Sequence, residues 1–236
     1  MTSLPPVADL SDMPSSPEPA AAPASVSSSL PDEPKRGRPG YDQRQVLDIA
    51  VAAFIEHGYD ATSMGVLAAR LGLSKSAIYH HFPSKGDLLR LALDEALTAL
   101  EGVLTAPEAL HGRAADRLAF VLRGAVVVLV NNLSYVTLLL RVHGNTDVER
   151  DALARRRAFD RFVTALVVEA RDEGSLRSDI DPRIVTRLLF GMINSIVEWY
   201  RPGGPESTEQ LADDVLAVAL DGLRMPPSRP AGDLVG

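Results

Sequence analysis

Apolar side chains recur every three to four positions through most of residues 42–224, which is the spacing of an α-helix with one buried face. No window alternates apolar and polar residues with the period of two that a half-buried strand shows. Glycine and proline interrupt the pattern at Gly58, Gly144, Gly174 and the RPGGP run at 201–205. The sequence therefore predicts an all-α fold of about nine helices: 42–57, two short helices capped by Ser63 and Ser74, and then 84–104, 112–130, 132–143, 147–173, 182–201 and 206–224.

The two ends of the chain differ from this helical stretch in composition. Residues 1–34 are rich in Pro, Ser and Ala and nearly lack large apolar side chains, so we expect a disordered tail. Residues 225–236 contain three prolines and two glycines, and we expect a second, flexible tail there. The folded part of the chain is thus predicted to lie between residues 35 and 224.

Composition excludes several classes of protein. The chain has no cysteine, which rules out a disulfide framework, a thiolate nucleophile and a zinc site with sulfur ligands. Its N-terminal region lacks the basic start and apolar centre of a secretory signal, and the apolar run at 125–130 is far shorter than the roughly 20 residues of a membrane span. We therefore expect a cytoplasmic protein that makes no contact with a membrane.

Charge is distributed unevenly along the chain. The net charge is −7, which alone argues against binding nucleic acid. Residues 35–90, however, contain eight Lys or Arg against five Asp or Glu, so this segment is cationic and the remainder is strongly acidic. A localised positive field of this kind steers a protein onto DNA.

The segment 63–89, SMGVLAARLGLSKSAIYHHFPSKGDLL, has the spacing of a helix-turn-helix. Ala68 is small where two helices would nearly touch, Gly72 tolerates a positive φ in the turn, and Ile78 is a branched apolar residue that would anchor the second helix. A plain helical hairpin is the alternative interpretation. The basic flanking residues favour the DNA-binding one.

This region resembles the TetR/AcrR family of repressors. The resemblance rests on the ATSM sequence at 61–64, the turn between Ala68 and Ile78, and above all IYHHFPSK at 78–85, and it covers about 50 residues. It implies a nine-helix subunit with an N-terminal DNA-binding domain at 35–90, a ligand-binding and dimerisation domain at 91–224, and a homodimer formed by the last two helices.

Position within the motif and the resemblance together assign roles to individual residues. A recognition helix presents its first residues to base edges, so Lys75, Ser76 and Ala77, directly after the Ser74 cap, are the predicted readers of base sequence. Ser74 itself is also among the residues predicted to bind DNA. Lys75 would donate to guanine and Ala77 would contact a thymine methyl group. The predicted phosphate contacts are Thr62, Ser63, Tyr79, His80 and Lys85.

A basic segment, KRGRPG at 35–40, precedes the first helix. Arg36 and Arg38, separated by a glycine, are expected to form an arm that enters a narrow minor groove. A solvated basic linker explains the same residues equally well.

The body, residues 105–224, shows none of the motifs of an enzyme and none that calls for a cofactor. The resemblance implies a ligand cavity in this body, in which Asn131, Tyr135 and Asn194 would orient a ligand between apolar helices. The alternative is that these polar residues lie at the surface or are satisfied in the core. Apolar and aromatic lining is expected from Phe159, Phe162 and Trp199.

The segment 198–220 resembles TetR-type regulators of fatty-acid, steroid and phenylacetate catabolism, several of which respond to acyl-CoA thioesters. The resemblance makes an acyl-CoA the leading effector, with Arg155, Arg156, Arg157 or Arg201 available for its phosphates. The alternative for the three consecutive arginines is an exposed, charge-balanced helix face.

Apolar stripes on the last two helices predict the dimer interface. Its members are Ile184, Leu188, Met192, Leu211, Val215 and Val218.

Taken together, these features predict a repressor that a small effector releases from a near-palindromic operator in double-stranded DNA. Two alternatives remain open at this level. One is a constitutive or multidrug-sensing DNA-binding regulator, and the other is a helical scaffold that no longer reads DNA.

Overall fold

A computed structural model describes residues 42–222 of the chain, and these residues form helices joined by short turns. The two tails and the basic arm with Arg36 and Arg38 lie outside the described residues. The all-α prediction is confirmed, with ten helices in the described part. They are α1 (Gln43–His57), α2 (Met64–Leu71), α3 (Lys75–His81), α4 (Lys85–Leu104), α5 (Pro107–Leu110), α6 (Ala114–Asn131), α7 (Leu133–Arg141), α8 (Asp147–Asp172), α9 (Pro182–Trp199) and α10 (Thr208–Asp221).

The first three helices form the helix-turn-helix unit, and its turn has the geometry that the sequence predicts. Gly72 ends α2 with a φ of 63°, a left-handed conformation that glycine adopts without steric cost. The backbone N–H of Leu73 then donates to the carbonyl of Ala68 at 3.0 Å, which closes the turn. Ile78, on the inner face of α3, is fully buried. These contacts fix the angle between α2 and α3 and leave the outer face of α3 in solvent.

Helix α4 connects this unit to the body. Its first turns bury Leu88, Leu89 and Leu93, and the helix packs against α1. Its later turns pack against α6, α7 and α8. Gly124 of α6 lies so close to α4 that an added Cβ would come within 2.5 Å of Val103. One continuous helix therefore belongs to both the DNA-binding unit and the body.

The body is built around α6 and α8, with α9 packed on α8 and α10 packed on α6. Helix α5 was not predicted; it has only four residues, begins at Pro107 and lacks a side-chain cap. A single turn is too short to show helical periodicity. The other long helices begin and end within two residues of their predicted bounds, except that α10 ends three residues early, at Asp221; caps and glycines mark most of these ends.

In the described residues, no single helix is both long enough and apolar enough to cross a membrane. Only α6 and α7 taken together reach that length and composition, and the chain bends by 102° between them.

Candidate DNA-binding surface and ligand cavity

The N-terminus of α3 carries the predicted base-reading residues on its exposed side. Ser74 caps the helix, because its Oγ accepts a hydrogen bond from the backbone N–H of Ala77 at 3.2 Å. Its Oγ also lies 2.9 Å from the Oγ of Ser76. Lys75 and Ser76 are exposed, whereas Ala77 is half-buried. The helix therefore presents a cation and a hydroxyl group from its first turn, and their contact with bases remains a prediction.

Lys75 lies across the start of α2, next to Gly65. A Cβ added to Gly65 would lie 2.9 Å from Cε and 3.3 Å from Nζ of Lys75, and 3.6 Å from Oγ of Ser63. Ser63 itself caps α2 by accepting from the N–H of Val66 at 3.2 Å. The absence of a side chain at 65 thus allows the predicted reader Lys75 and the predicted phosphate contact Ser63 to approach each other.

Three further residues were predicted to contact phosphates from the end of α3 and the start of α4. Tyr79 and His80 are exposed, which leaves both side chains accessible. Lys85 is half-buried and donates to the carbonyl oxygens of Tyr59 at 2.9 Å and Asp60 at 3.4 Å. Its ammonium also lies 4.2 Å from the centre of the Tyr59 ring. Two of the three Lys85 donors therefore hold the fold together, and one is left for a phosphate.

The prediction for Thr62 is wrong. The side chain is fully buried, and its Oγ1 donates to the carbonyl of Gly58 at 2.8 Å. Its backbone N–H is also occupied, because it donates to the carbonyl of Tyr59 at 3.2 Å. Thr62 therefore ties the turn before α2 to the end of α1 and has no free donor for a phosphate.

An apolar cavity lies inside the body between α4, α6, α7, α8 and α9. Phe159 and Asn194 line it as predicted, and the Phe159 and Phe190 rings pack with their centres 5.7 Å apart. The free space is only about 50 Å³. The remaining apolar lining consists of Leu97, Leu100, Ala125, Leu129, Val136, Leu139, Leu140 and Ile193.

Three other residues that were predicted to bind the ligand do not line this cavity. Asn131 is exposed at the end of α6, and Trp199 is exposed at the end of α9. Phe162 is half-buried and packs against the core. Each lies on a helix that contributes to the cavity wall, but on a face that does not line the cavity. Spacing in the sequence alone does not distinguish these faces when several faces of a helix are apolar.

Tyr135 was also predicted to bind the ligand, and the structure places it elsewhere. Its hydroxyl donates to Asp48 of α1, so the side chain joins α7 to the DNA-binding unit. The guanidinium carbon of Arg44 lies 4.8 Å from the ring centre, and Arg44 pairs with Glu95 of α4 at 2.8 Å. Burial has the largest effect on the pKa of Tyr135 and raises it, and the hydrogen bond to Asp48 raises it further. The phenol therefore remains protonated and serves as a donor between the two parts of the chain.

A wide groove between α8 and α9 adjoins the cavity and holds about 800 Å³ of open space. The groove and the cavity are adjacent, because they share four lining residues: Arg156, Asp160, Phe190 and Asn194. Five arginines line this groove, and within residues 42–222 no guanidinium group of theirs forms an ion pair or a hydrogen bond with another residue. We call these five residues the arginine groove: Arg156, Arg157, Arg161, Arg183 and Arg187.

Only Arg156 and Arg157 of the arginine groove were among the predicted phosphate-binding residues. Arg161, Arg183 and Arg187 were missed because they lie on two helices more than twenty residues apart. The available signal was the i,i+4 spacing of Arg157 with Arg161 and of Arg183 with Arg187, which puts each pair on one helix face. Arg201 lies outside the groove and donates to the carbonyl oxygens of Glu198 and Tyr200.

The predicted dimer interface divides into exposed and buried residues. Ile184, Leu188 and Val218 are exposed, with Leu188 64% and Val218 71% accessible. Met192 is half-buried. Leu211 and Val215 are buried on α10, the helix that packs on α6, so the prediction that they contact a second subunit is wrong. Trp199 of α9, spaced with Ile184 and Leu188 at helical intervals, adds to the exposed apolar face.

A helix-turn-helix with an exposed second helix, joined by one long helix to a body with an internal cavity, defines a DNA-binding regulator. Residues 46–92 match the sequence profile of bacterial regulatory proteins of the tetR family, and residues 111–223 match that of the tetracyclin repressor-like C-terminal domain. The HTH-type transcriptional repressor KstR2 of Rhodococcus jostii (strain RHA1) is 32% identical over 197 residues, which cover 77% of this chain and 91% of KstR2.

Solved structures of similar proteins have the same fold as this chain. SCO3833, a TetR-family regulator from Streptomyces coelicolor A3, is 51% identical with a TM-score of 0.72 over 76% of this chain and 91% of its own. AibR, solved with isovaleryl coenzyme A and operator DNA, has the same fold at 24% identity, with a TM-score of 0.63 over 75% of this chain and 97% of AibR. The chain therefore belongs to the TetR family. Members of this family are dimeric DNA-binding regulators with small-molecule effectors, and they are not enzymes.

Proposed function

We propose that this protein is a cytoplasmic repressor that leaves its operator when a coenzyme A thioester binds to the body. The observation that carries the proposal is the junction of the apolar cavity with the arginine groove. A ligand that fills both must have an apolar part and a strongly anionic part. An acyl-CoA has this construction, because an acyl chain is attached to a headgroup that carries a diphosphate and a further phosphate.

The charge of the groove supports a phosphate-bearing ligand. Its five arginines face a single carboxylate, Asp160, and in the described part of the chain none of their guanidinium groups forms an ion pair, so the groove carries an excess of positive charge. Guanidinium groups bind phosphate oxygens through paired, charge-assisted hydrogen bonds. Burial raises the pKa of Asp160, and the charges of Arg156 and Arg161 partly offset this rise.

The relatives support the same class of effector. AibR was solved with isovaleryl coenzyme A, which is an acyl-CoA. The fatty acid metabolism regulator protein of Bacillus subtilis, whose name refers to the metabolism of acyl chains, is 22% identical over 192 residues. We infer that the effector of this chain is a thioester of the same kind.

DNA recognition in the proposal uses two copies of α3. The exposed apolar face of α9 and α10, which includes Ile184, Leu188 and Val218, would be covered by a second subunit. A two-fold dimer places its recognition helices about one turn of DNA apart, so the operator is expected to be nearly palindromic. Lys75, Ser76 and Ala77 would contact bases, and Ser63, Tyr79, His80 and Lys85 would contact phosphates.

The effector assignment is tested by calorimetry on the full-length dimer with octanoyl-CoA, coenzyme A and octanoate. Octanoyl-CoA should bind most tightly, since it alone engages both the cavity and the groove. Replacing Arg157 and Arg161 by Gln should weaken binding of octanoyl-CoA and coenzyme A about tenfold or more, with little effect on octanoate. Arg171→Gln on the same helix, outside the groove, is the matched control. Equal affinity for all three compounds would favour a multidrug-sensing regulator instead.

The DNA-binding role is tested with the operator recovered by selection from genomic fragments. Lys75→Ala should weaken operator binding by roughly 1 to 3 kcal/mol and relax specificity at one base pair in each half-site. Loss of less than a few tenths of a kcal/mol, or failure of the wild-type dimer to select any DNA, would favour a scaffold that no longer reads DNA.

A further inference from the structure

Arg155 is the one member of the arginine triplet at 155–157 that is already paired. From α8 it reaches α4, where its Nε and Nη2 each donate to an oxygen of Glu101 at 2.7 Å. Its Nη1 also donates to Asp94, two turns earlier on the same helix. Hydrogen bonding by Arg155 lowers the pKa of Glu101, so this carboxylate stays ionised at neutral pH. One guanidinium thus fastens α8 to two points on α4.

This pairing forms part of the cavity wall. Arg155 and Glu101 both line the cavity, whose free space of about 50 Å³ is well below the roughly 300 Å³ of a small ligand site. An effector tail can enter only if the wall helices separate. Most of the wall is held by nondirectional apolar packing. The contact between α4 and α8 is additionally held by directional charged hydrogen bonds, which are lost when the two helices separate.

Movement of α4 reaches the DNA-binding unit directly. The first residue of α4, Lys85, holds the carbonyls of Tyr59 and Asp60 before α2. Leu88 and Leu89 are fully buried, and α4 packs on α1. Because the helix is continuous from Lys85 to Leu104, displacement of its Glu101 end changes the position of the end that supports α1 to α3.

We propose that Arg155 couples effector binding to DNA release. Its ion pairs with Asp94 and Glu101 hold α4 against α8 in the effector-free protein, and an effector tail entering the cavity separates them. The identity of the effector rests on the proposed function, whereas the role of the ion pairs does not. Arg155 is therefore a positioning residue, in contrast to the arginine groove, which would contact the effector itself.

The first test weakens the pairing without removing the arginine, because the contact of Arg155 with Asp94 stays in place. Glu101→Gln keeps the size of the side chain and weakens the ion pair, so opening the cavity becomes easier. Octanoyl-CoA should then bind roughly three- to tenfold more tightly and release the operator at a correspondingly lower concentration. Glu108→Gln, an exposed glutamate on α5, is the matched control and should match the wild type.

The second test needs no effector. Since the chain has no cysteine, a Gly102→Cys, Ala158→Cys protein can be spin-labelled on α4 and α8 alone and diluted with unlabelled subunits. Both positions are exposed, and a Cβ at 102 meets no atom within 4 Å. Adding Glu101→Gln should lengthen and broaden the measured distance between the labels, and Glu108→Gln should leave it unchanged.

The two tests separate the coupling from the effector assignment. If octanoyl-CoA does not bind the wild type but Glu101→Gln lengthens the label distance, the effector is misassigned and the pairing still holds α4. If Glu101→Gln leaves the label distance unchanged, the inference is overturned. It is also overturned if octanoyl-CoA binds but neither its affinity nor the operator-release concentration responds to Glu101→Gln.

Discussion

Replacing Tyr135 by Phe removes one hydroxyl group and the only hydrogen bond that this side chain makes to α1. The side chain is 5% exposed, so Phe fits the same space without a new cavity. A hydrogen bond to a charged acceptor contributes about 1.5 to 3 kcal/mol. The Asp48 side chain is 53% exposed, and water can replace the lost donor. We therefore expect the free energy of unfolding to fall by about 0.5 to 1.5 kcal/mol.

The measurement is urea denaturation of the full-length dimer at fixed protein concentration, followed by helical circular dichroism. Tyr200→Phe is the control, because Tyr200 is also buried but no hydrogen bond of its hydroxyl is present in the described residues. Affinity for octanoyl-CoA should stay within about twofold of the wild type, since Tyr135 does not line the cavity. If the two variants were equally stable, or if Tyr135→Phe lost effector affinity tenfold, the assignment of Tyr135 to the α1 contact would be wrong.

Three further changes test the surfaces. Gly65→Ala places a Cβ 2.9 Å from Cε of Lys75, so the Lys75 side chain must move. Operator affinity, measured by fluorescence anisotropy, should then fall roughly three- to tenfold. The free energy of unfolding should stay level or rise by up to about 1 kcal/mol. Leu188→Asp puts a charge on the exposed apolar face, and sedimentation should show monomers where the wild type is dimeric; an unchanged dimer would move the interface elsewhere. Asp160→Asn removes the one carboxylate of the arginine groove and should tighten octanoyl-CoA binding about threefold by calorimetry, and weaker binding would contradict a phosphate subsite there.

The helix-turn-helix was predictable because each of its constraints is local. Ser63 and Ser74 cap helices through their own neighbours, and Gly72 adopts its positive φ within the turn itself. These effects depend on residues within about four positions, so the sequence states them directly. The ends of the longer helices were found for the same reason.

The cavity and dimer residues were only partly predictable because helical period does not say which helix covers which face. Leu211 and Val218 are both apolar and seven residues apart, yet the first is buried and the second is exposed. Tyr135 could be recognised as a residue with an apolar ring and a polar end. Its partner Asp48, 87 residues earlier in the chain, has no sequence signal that pairs the two.

The contacts that join the DNA-binding unit to the body favour a short route for the allosteric signal. Tyr135 and Arg141 of α7 reach α1 through Asp48 and the carbonyl of Ile55, the latter at 2.7 Å. Helix α4 reaches the same unit through Lys85. Both α4 and α7 also form walls of the cavity. A change in cavity volume therefore has to cross only one helix to reach α1 or α2, and no chain of intermediate residues through the rest of the body is needed.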